Sequence, residues 1–408
     1  MSQLGTSTEN DRTRLVLLSA ATLLYWACMY VYVPILTPYL EYRGISVGMI
    51  GFVLGSYGLT QIAVRLPLGL YSDAMSRRKP FLIAGMLAGA VSCALFLLPG
   101  TWGGPLAARL IAGLCASAWV PFSVLYASCF PSSRTGQAMG TLQFLTVSGQ
   151  LAGMLGSGWL TDWGGYDAAF KTGIAVAVLG ILVVLCIREP AAAGPVSAKV
   201  TTEEKPAVSR VFRSAALWKV SSLSLMAHGI LFITMFGFTP LQAVKMGAGE
   251  AGLTGIVAAF MVPHALVSLI AGRYLAPKLG NRRMIIAGFL LAGAFTAAIP
   301  LTHTLGWLAV TQAFNGAAQA LYFPLLLGMA IQDFPPSLRA SAMGLYQSVY
   351  SVGMFLGPYL AGGLNALGGL EAGFLFGGAL GLGASILAAF YFRRRSLVAS
   401  AGEPQQAR

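Results

Sequence analysis

The sequence predicts an all-α integral membrane protein of twelve transmembrane helices, arranged as two pseudo-symmetric six-helix bundles. Three observations lead there: a composition poor in charge, a regular succession of apolar stretches, and an internal repeat. Of the 408 residues, 10% are charged and 56% are hydrophobic, with a mean hydropathy of +0.73. A soluble chain is about a quarter charged. Each bilayer crossing takes roughly 20 apolar residues, so there is material for about twelve crossings joined by short loops. The 50 glycines would weaken soluble helices, but in membrane helices small residues let backbones approach closely.

Taken in order, apolar stretches fall at 15–40, 46–71, 80–98, 106–130, 137–160 and 168–187. A second set falls at 217–241, 250–272, 283–300, 306–330, 340–363 and 371–392. Residues 1–187 are therefore expected to form an N-terminal bundle and 217–392 a C-terminal one. Between them, 188–216 is rich in Pro, Ala, Glu and Lys and reads as a flexible linker; 393–408 reads as a tail. An even number of crossings puts both ends on one side. The loops of that side hold Arg12, Arg14, Arg77, Arg78, Lys79, Arg134, Lys278, Arg282, Arg283 and Arg339, against Arg43, Lys171 and Lys245 opposite. By the positive-inside rule, termini and linker are expected in the cytoplasm of a multi-pass plasma-membrane (cell inner-membrane) protein.

That distribution also argues against reading the net charge of +13 as nucleic-acid binding, because the cations sit in short runs between apolar segments. Cys28, Cys93, Cys115, Cys129 and Cys186 stand singly in or beside apolar stretches, without metal-ligand spacing. They read as small hydrophobes, and neither metal nor cofactor is expected.

The repeat ties the two sets together. FPSSRTGQAMGTLQFLTVSGQLAGM from Phe130 and FPPSLRASAMGLYQSVYSVGMFLGP from Phe334 share Phe, Pro, Ser, Ala-Met-Gly, Gln and two glycines at a constant offset of 204. The same offset carries Arg78-Lys79 onto Arg282-Arg283, and an offset of 203 carries Gly113 and Pro121 onto Gly316 and Pro324. Parallel repeats about an axis along the membrane normal are a known transporter plan.

These residues resemble the major facilitator superfamily, along essentially the whole chain. The run from Gly69 through Asp73 to Arg77, Arg78 and Lys79 is similar to that superfamily's signature after the second helix, with Ser76 where a glycine is usual. The resemblance implies a gating latch of Asp73, Arg77 and Arg78 between the halves: a carboxylate capping a facing helix, with arginines bridging. The second copy has Pro277 where Asp73 stands. Arg109 with Gly113 resembles the motif of proton-driven members. Gly149, Gly153, Gly156 and Gly158 resemble the antiporter glycine series, with Met154 in place of its proline; Gly353, Gly357 and Pro358 form the second copy. This implies gating bends at Gly153, Gly357 and Pro358, and leans towards export by antiport. The run from Tyr57 to Phe81 is similar to exporters of opine-type metallophores.

A proton-coupled transporter needs an interior titratable group, yet no Asp or Glu lies inside an apolar stretch; Glu41, Asp73, Asp162 and Asp333 come closest. The bases inside are Arg109, His228 and His264, and imidazole titrates near neutrality. His228 and His264 are thus the proton-coupling candidates, and Arg109 the expected anchor for a substrate anion. Arg65, two turns before Asp73, is expected to snorkel or pair near the cytoplasmic face. Trp26 and Tyr30 share a helical stripe that would line a cavity; Gln319 and Tyr322 (beside Asn315), and Gln347 and Tyr350 (beside Tyr346), add polar groups from the second half. The expected function is proton-coupled export of a small polar anionic or zwitterionic solute, with import of an organic anion or sugar as the alternative. Substrate, protons and bilayer are then the partners of a monomer. Neither a Walker loop nor a His-Glu-x-x-His motif is present, so no enzyme is expected.

Overall fold

The computed structural model describes residues 2–189 and 208–399, apart from 46, 76 and 101. Most of the expected linker and the end of the tail lie outside these residues, as do some side chains within the helices, among them Glu41 and Asp162, and the packing environment of Gly158. What is described is helical and contains no strand.

The first crossing is α1 (Ser2–Tyr30) continued by α2 (Leu36–Tyr42), the second α3 (Val47–Met75) and the third α4 (Lys79–Phe96). The fourth comprises α5 (Gly103–Ser117) and α6 (Trp119–Ala127), and α7 (Thr135–Cys186) makes the fifth and sixth. After the short α8 (Ser209–Arg213), the seventh crossing is α9 (Ala215–Ile233) and α10 (Thr239–Lys245), joined by a π-helical turn at Thr234–Phe238. The eighth is α11 (Glu250–Ile270) and α12 (Ala276–Leu279), joined by a second π turn at Ala271–Leu275. Then come α13 (Asn281–Ala297), α14 (Leu305–Met329), and α15 (Arg339–Ala399), which makes the last two crossings.

The duplication is visible in backbone angles. α7 breaks at Gly164–Gly165 and α15 at Gly368–Gly369, 204 residues apart, and the second glycine of each pair has φ of +68° or +72°. That region is open to glycine and costly for other residues. Packing repeats as well. A Cβ on Gly113 would meet the Tyr57 carbonyl, and one on Gly316 would overlap the Phe260 carbonyl, so both pairs of helices touch at the same register in each half. Gly149 and Gly153 seat α7 on α1, and Gly353 and Gly357 seat α15 on α9. Gly149, Gly153, Gly353 and Gly357 therefore hold helices together within each half.

Seven segments are long and apolar enough on their own to cross a membrane. The remaining crossings are α3, α13, α14 and the first parts of α7 and α15. Of these, α13 is only 17 residues long, and polar residues dilute the hydropathy of α14 and of the first parts of α7 and α15.

Two seams join the halves on the face from which the linker leaves, here the linker face. In one, Gly69 of α3 lies under the Ala340 carbonyl of α15, and Gly344 packs on Arg65 and Leu66. In the other, Gly140 and Gly136 of α7 pack against Ser268 and Gly272. The first seam carries a carboxylate latch: Asp73 accepts from the Ala340 N–H (3.1 Å), the Ser341 N–H (2.6 Å) and the Ser341 hydroxyl (2.7 Å). These are unsatisfied first-turn donors of α15, where negative charge is favoured. Arg78 joins the latch, 3.4 Å from Asp73 and donating to the Pro336 carbonyl at 3.3 Å. Arg77 is exposed, and no bridge from it across the seam accompanies that of Arg78. The Glu189 carboxylate accepts from the N–H groups of Arg78 and Lys79, capping the start of α4. The second seam has Pro277 in the place of Asp73 and rests on glycine packing.

Candidate functional site

Between the halves lies a cavity of about 100 Å³. Three sets of side chains build it. Gln143, Thr146 and Gln150 line it from α7 at spacings of three and seven, one helical stripe. His228 and His264 line it from the other half, either side of Phe323, whose ring centroid lies 4.7 and 6.0 Å from theirs. Aromatic rings close the rest. Trp26 meets Trp119 edge-on at 5.0 Å, and Tyr30 meets Phe236 across the two halves at 6.1 Å. The seams shut the cavity on the linker face, and the Tyr30–Phe236 contact narrows it towards the opposite one.

Among the described residues, the one cation lining it is Arg65, 2% exposed. Its guanidinium donates to the Ser351 hydroxyl (3.0 Å), the Gln347 carbonyl (3.4 Å) and the Ala116 carbonyl (3.5 Å). It also lies 4.8 Å over the ring of Tyr350, which stacks on His228 at 3.8 Å and 1°. None of these partners is a carboxylate. The expectation that Arg65 snorkels to the surface is corrected. Eight residues separate it from the latched Asp73, about 12 Å of helix, and the glycine seam closes α3 against α15 between them.

The sequence-predicted residues divide. Trp26, Tyr30, His228, His264 and Tyr350 line the cavity together. Arg109 does not; its guanidinium sits 4.5 Å over the ring of Tyr57, and Tyr57 is the lining residue. Tyr322 is buried inside the C-terminal half, stacked on Phe289 at 4.2 Å. Gln319 and the Gln347 side chain are buried outside the lining as well. The Nδ1 of His228 donates to the Ser224 carbonyl at 2.8 Å, which leaves Nε2 of the neutral ring as an acceptor. His264 has its Nε2 3.4 Å from the Gln143 amide nitrogen. Sequence reasoning missed Tyr57, Trp119 and the Gln143–Thr146–Gln150 stripe, and placed Arg65 away from the site. That stripe had a usable signal: it lies in the repeated segment, and Gln143 is the counterpart of Gln347.

Two six-helix halves around a central cavity lined from both of them are the architecture of a membrane transporter. The family model of the Major Facilitator Superfamily matches residues 18–252 and 241–407, and the chain belongs to that family of secondary transporters. It is 24% identical to the multidrug resistance protein MdtG of Escherichia coli over 387 residues, covering 90% of this chain and 92% of that one. It is also 24% identical to the MFS-type transporter SLC18B1 of Homo sapiens, covering 87% and 81%. Among solved structures it resembles the human organic anion transporter MFSD10 (TM-score 0.75, 18% identity, 93% and 99% covered). The fucose:proton symporter FucP of Escherichia coli gives a TM-score of 0.72 at 15% identity, with 92% and 98% covered. These relatives are transporters, and the protein is a multi-pass membrane transporter rather than an enzyme.

Proposed function

We propose that the protein is a proton-coupled exporter of small anionic or zwitterionic organic solutes, including carboxylate-rich metallophores, with Arg65 as the anchor for a substrate carboxylate. The observation that carries this is the lone guanidinium in the cavity, held by neutral groups. A central arginine costs roughly 2.5–3.5 kcal/mol on insertion scales, and a carboxylate offers the planar, bidentate partner it lacks. Arg109 stands behind Tyr57 and adds positive potential to the same end. The aromatic rings supply apolar contact, and Gln143, Thr146 and Gln150 supply neutral hydrogen bonds. A cavity of about 100 Å³ is below the ~300–1,000 Å³ of ligand pockets, so entry requires the seams or the Tyr30–Phe236 contact to part. His228 and His264 are the proposed proton carriers, and the linker face is the proposed cytoplasmic face. The antiporter-like glycine series, and the name of the relative MdtG, favour export.

Energised everted membrane vesicles test this reading. They are supplied with radiolabelled mono- and dicarboxylates, each paired with its neutral amide. Acids are expected to accumulate when a proton gradient is imposed, and amides are not. Accumulation only in right-side-out vesicles would make the protein an importer; accumulation of amides alone would remove the anionic substrate.

A further inference from the structure

We infer that α14 carries a second polar site: a file of water buried inside the C-terminal half, passing protons between His264 and the opposite face without entering the substrate cavity. This rests on the reading of His264 as a coupling group.

Gln312, Asn315, Gln319 and Tyr322 stand at i, i+3, i+7 and i+10 of α14, one face of the helix. Each is at most 1% exposed. The Gln312 Oε1, the Asn315 Nδ2, both amide atoms of Gln319 and the Tyr322 hydroxyl find no hydrogen-bond partner among the protein groups. The Gln312 Nε2 reaches only the neighbouring Thr311 hydroxyl at 3.2 Å, and the Asn315 Oδ1 only the Thr296 hydroxyl at 3.4 Å. A single orphaned group is ordinary in a folded protein, but a continuous stripe of them is not. Water satisfies such groups where two or more polar atoms converge.

The stripe leads to His264. Gly316 packs on the Phe260 carbonyl, so the next turn of α14, with Gln319 and Phe323, runs level with His264 one turn further along α11. His264 is 3% exposed; its Nε2 faces Gln143 at the cavity, while its Nδ1 has no partner. Its ring neighbours are Phe260 and Phe323, with His228 beyond Phe323 and Arg65 across the cavity; no carboxylate is among its described contacts. At the other end, Gln312 lies about 12 Å of helix from Thr304, which caps α14 at the opposite face. Charge explains why the path runs in this half. At the 203-residue offset, Arg65 and Arg109 correspond to Ser268 and Gln312. A proton in the first half meets two fixed guanidinium charges, and one in the second meets neutral groups.

X-ray hydroxyl-radical footprinting of the purified protein reads bound water directly and needs no substrate. Tyr25 and Tyr39 are the controls: both are buried, with hydroxyls bonded to the Cys115 and Phe96 carbonyls. Tyr322 is expected to be modified several-fold faster than either, and to fall to their level in an Asn315→Leu, Gln319→Leu variant. Deuterium exchange at the imidazole C2 of His264, read by mass spectrometry, is expected to slow several-fold in the same variant. Gln312→Met provides the same contrast should the double variant not fold. Modification of Tyr322 no faster than Tyr25 would show the stripe to be dry. Unchanged exchange at His264 would show that the water does not reach it. Either result overturns the inference and leaves the Arg65 anchor untouched.

Discussion

Asp73 and Arg65 sit eight residues apart on one helix and do different work because their surroundings differ. Asp73 meets the bare donors at the start of α15, and Arg65 meets carbonyls, a hydroxyl and an aromatic face. Asp73→Asn keeps one acceptor but loses the charge that suits a helix N-terminus. Loss of that charge costs about 0.3–1 kcal/mol, a shift of roughly 2- to 5-fold towards the state open at the linker face. A cysteine at Leu66, on the seam, should then react faster with a maleimide in the Asp73→Asn background while thermal stability holds; equal rates would reduce Asp73 to a topology signal. At His264 the expectation is a split. His264→Gln should still exchange labelled carboxylate down its own gradient but lose proton-driven accumulation, and retained accumulation would shift coupling to His228 or to a carboxylate at a span end.

Glycines separate the contacts that must part from those that must not. Gly344 lies on the seam between halves, against Arg65 and Leu66, whereas Gly353 lies within one half under the Leu225 carbonyl. Overpacking either place costs typically 1–3 kcal/mol, and the cost should surface differently. Gly344→Ala is expected to leave the unfolding temperature nearly unchanged and to raise the reactivity of the Leu66 cysteine, since the seam can open. Gly353→Ala is expected to lower the unfolding temperature without opening it. Identical behaviour of the two would mean that the seam is a permanent interface. The same elements show what the sequence could convey. Crossing positions and the duplication were legible because hydropathy and repeat register are local, whereas the contact of Asp73 and Arg78 across the seam was implied only by the family resemblance. The depth of Arg65 was not legible, because it depends on α15 closing over α3. The stripe of Gln319 and Tyr322 was expected at the interface between halves, but Phe323 and Leu327 take the cavity-facing side of α14 and turn that stripe into its own half. Arg109 was read as an interior charge, whereas its position over Tyr57 follows from Gly113 bringing α5 against α3.

As a whole, the molecule places Arg65 and Arg109 in one half and His228 and His264 in the other, with a small cavity between. In the proposed cycle, opening at one face would present Arg65 to a substrate carboxylate, and closing would surround the pair with rings and neutral amides. Trp26 and Trp119 line that cavity, so their fluorescence reports its occupancy. The most direct measurement is therefore a titration of purified wild-type, Arg65→Lys, Arg65→Met and Arg109→Met proteins with benzoate and citrate, each against its neutral amide. Acids should bind and amides should not. Arg65→Met should lose about 1.5–3 kcal/mol, the worth of hydrogen bonds to a charged group, or roughly 10- to 150-fold in affinity; Arg65→Lys should fall between, and Arg109→Met should lose less. Amides binding as tightly as acids, or a folded Arg65→Met protein with unchanged affinity for the acids, would contradict the account.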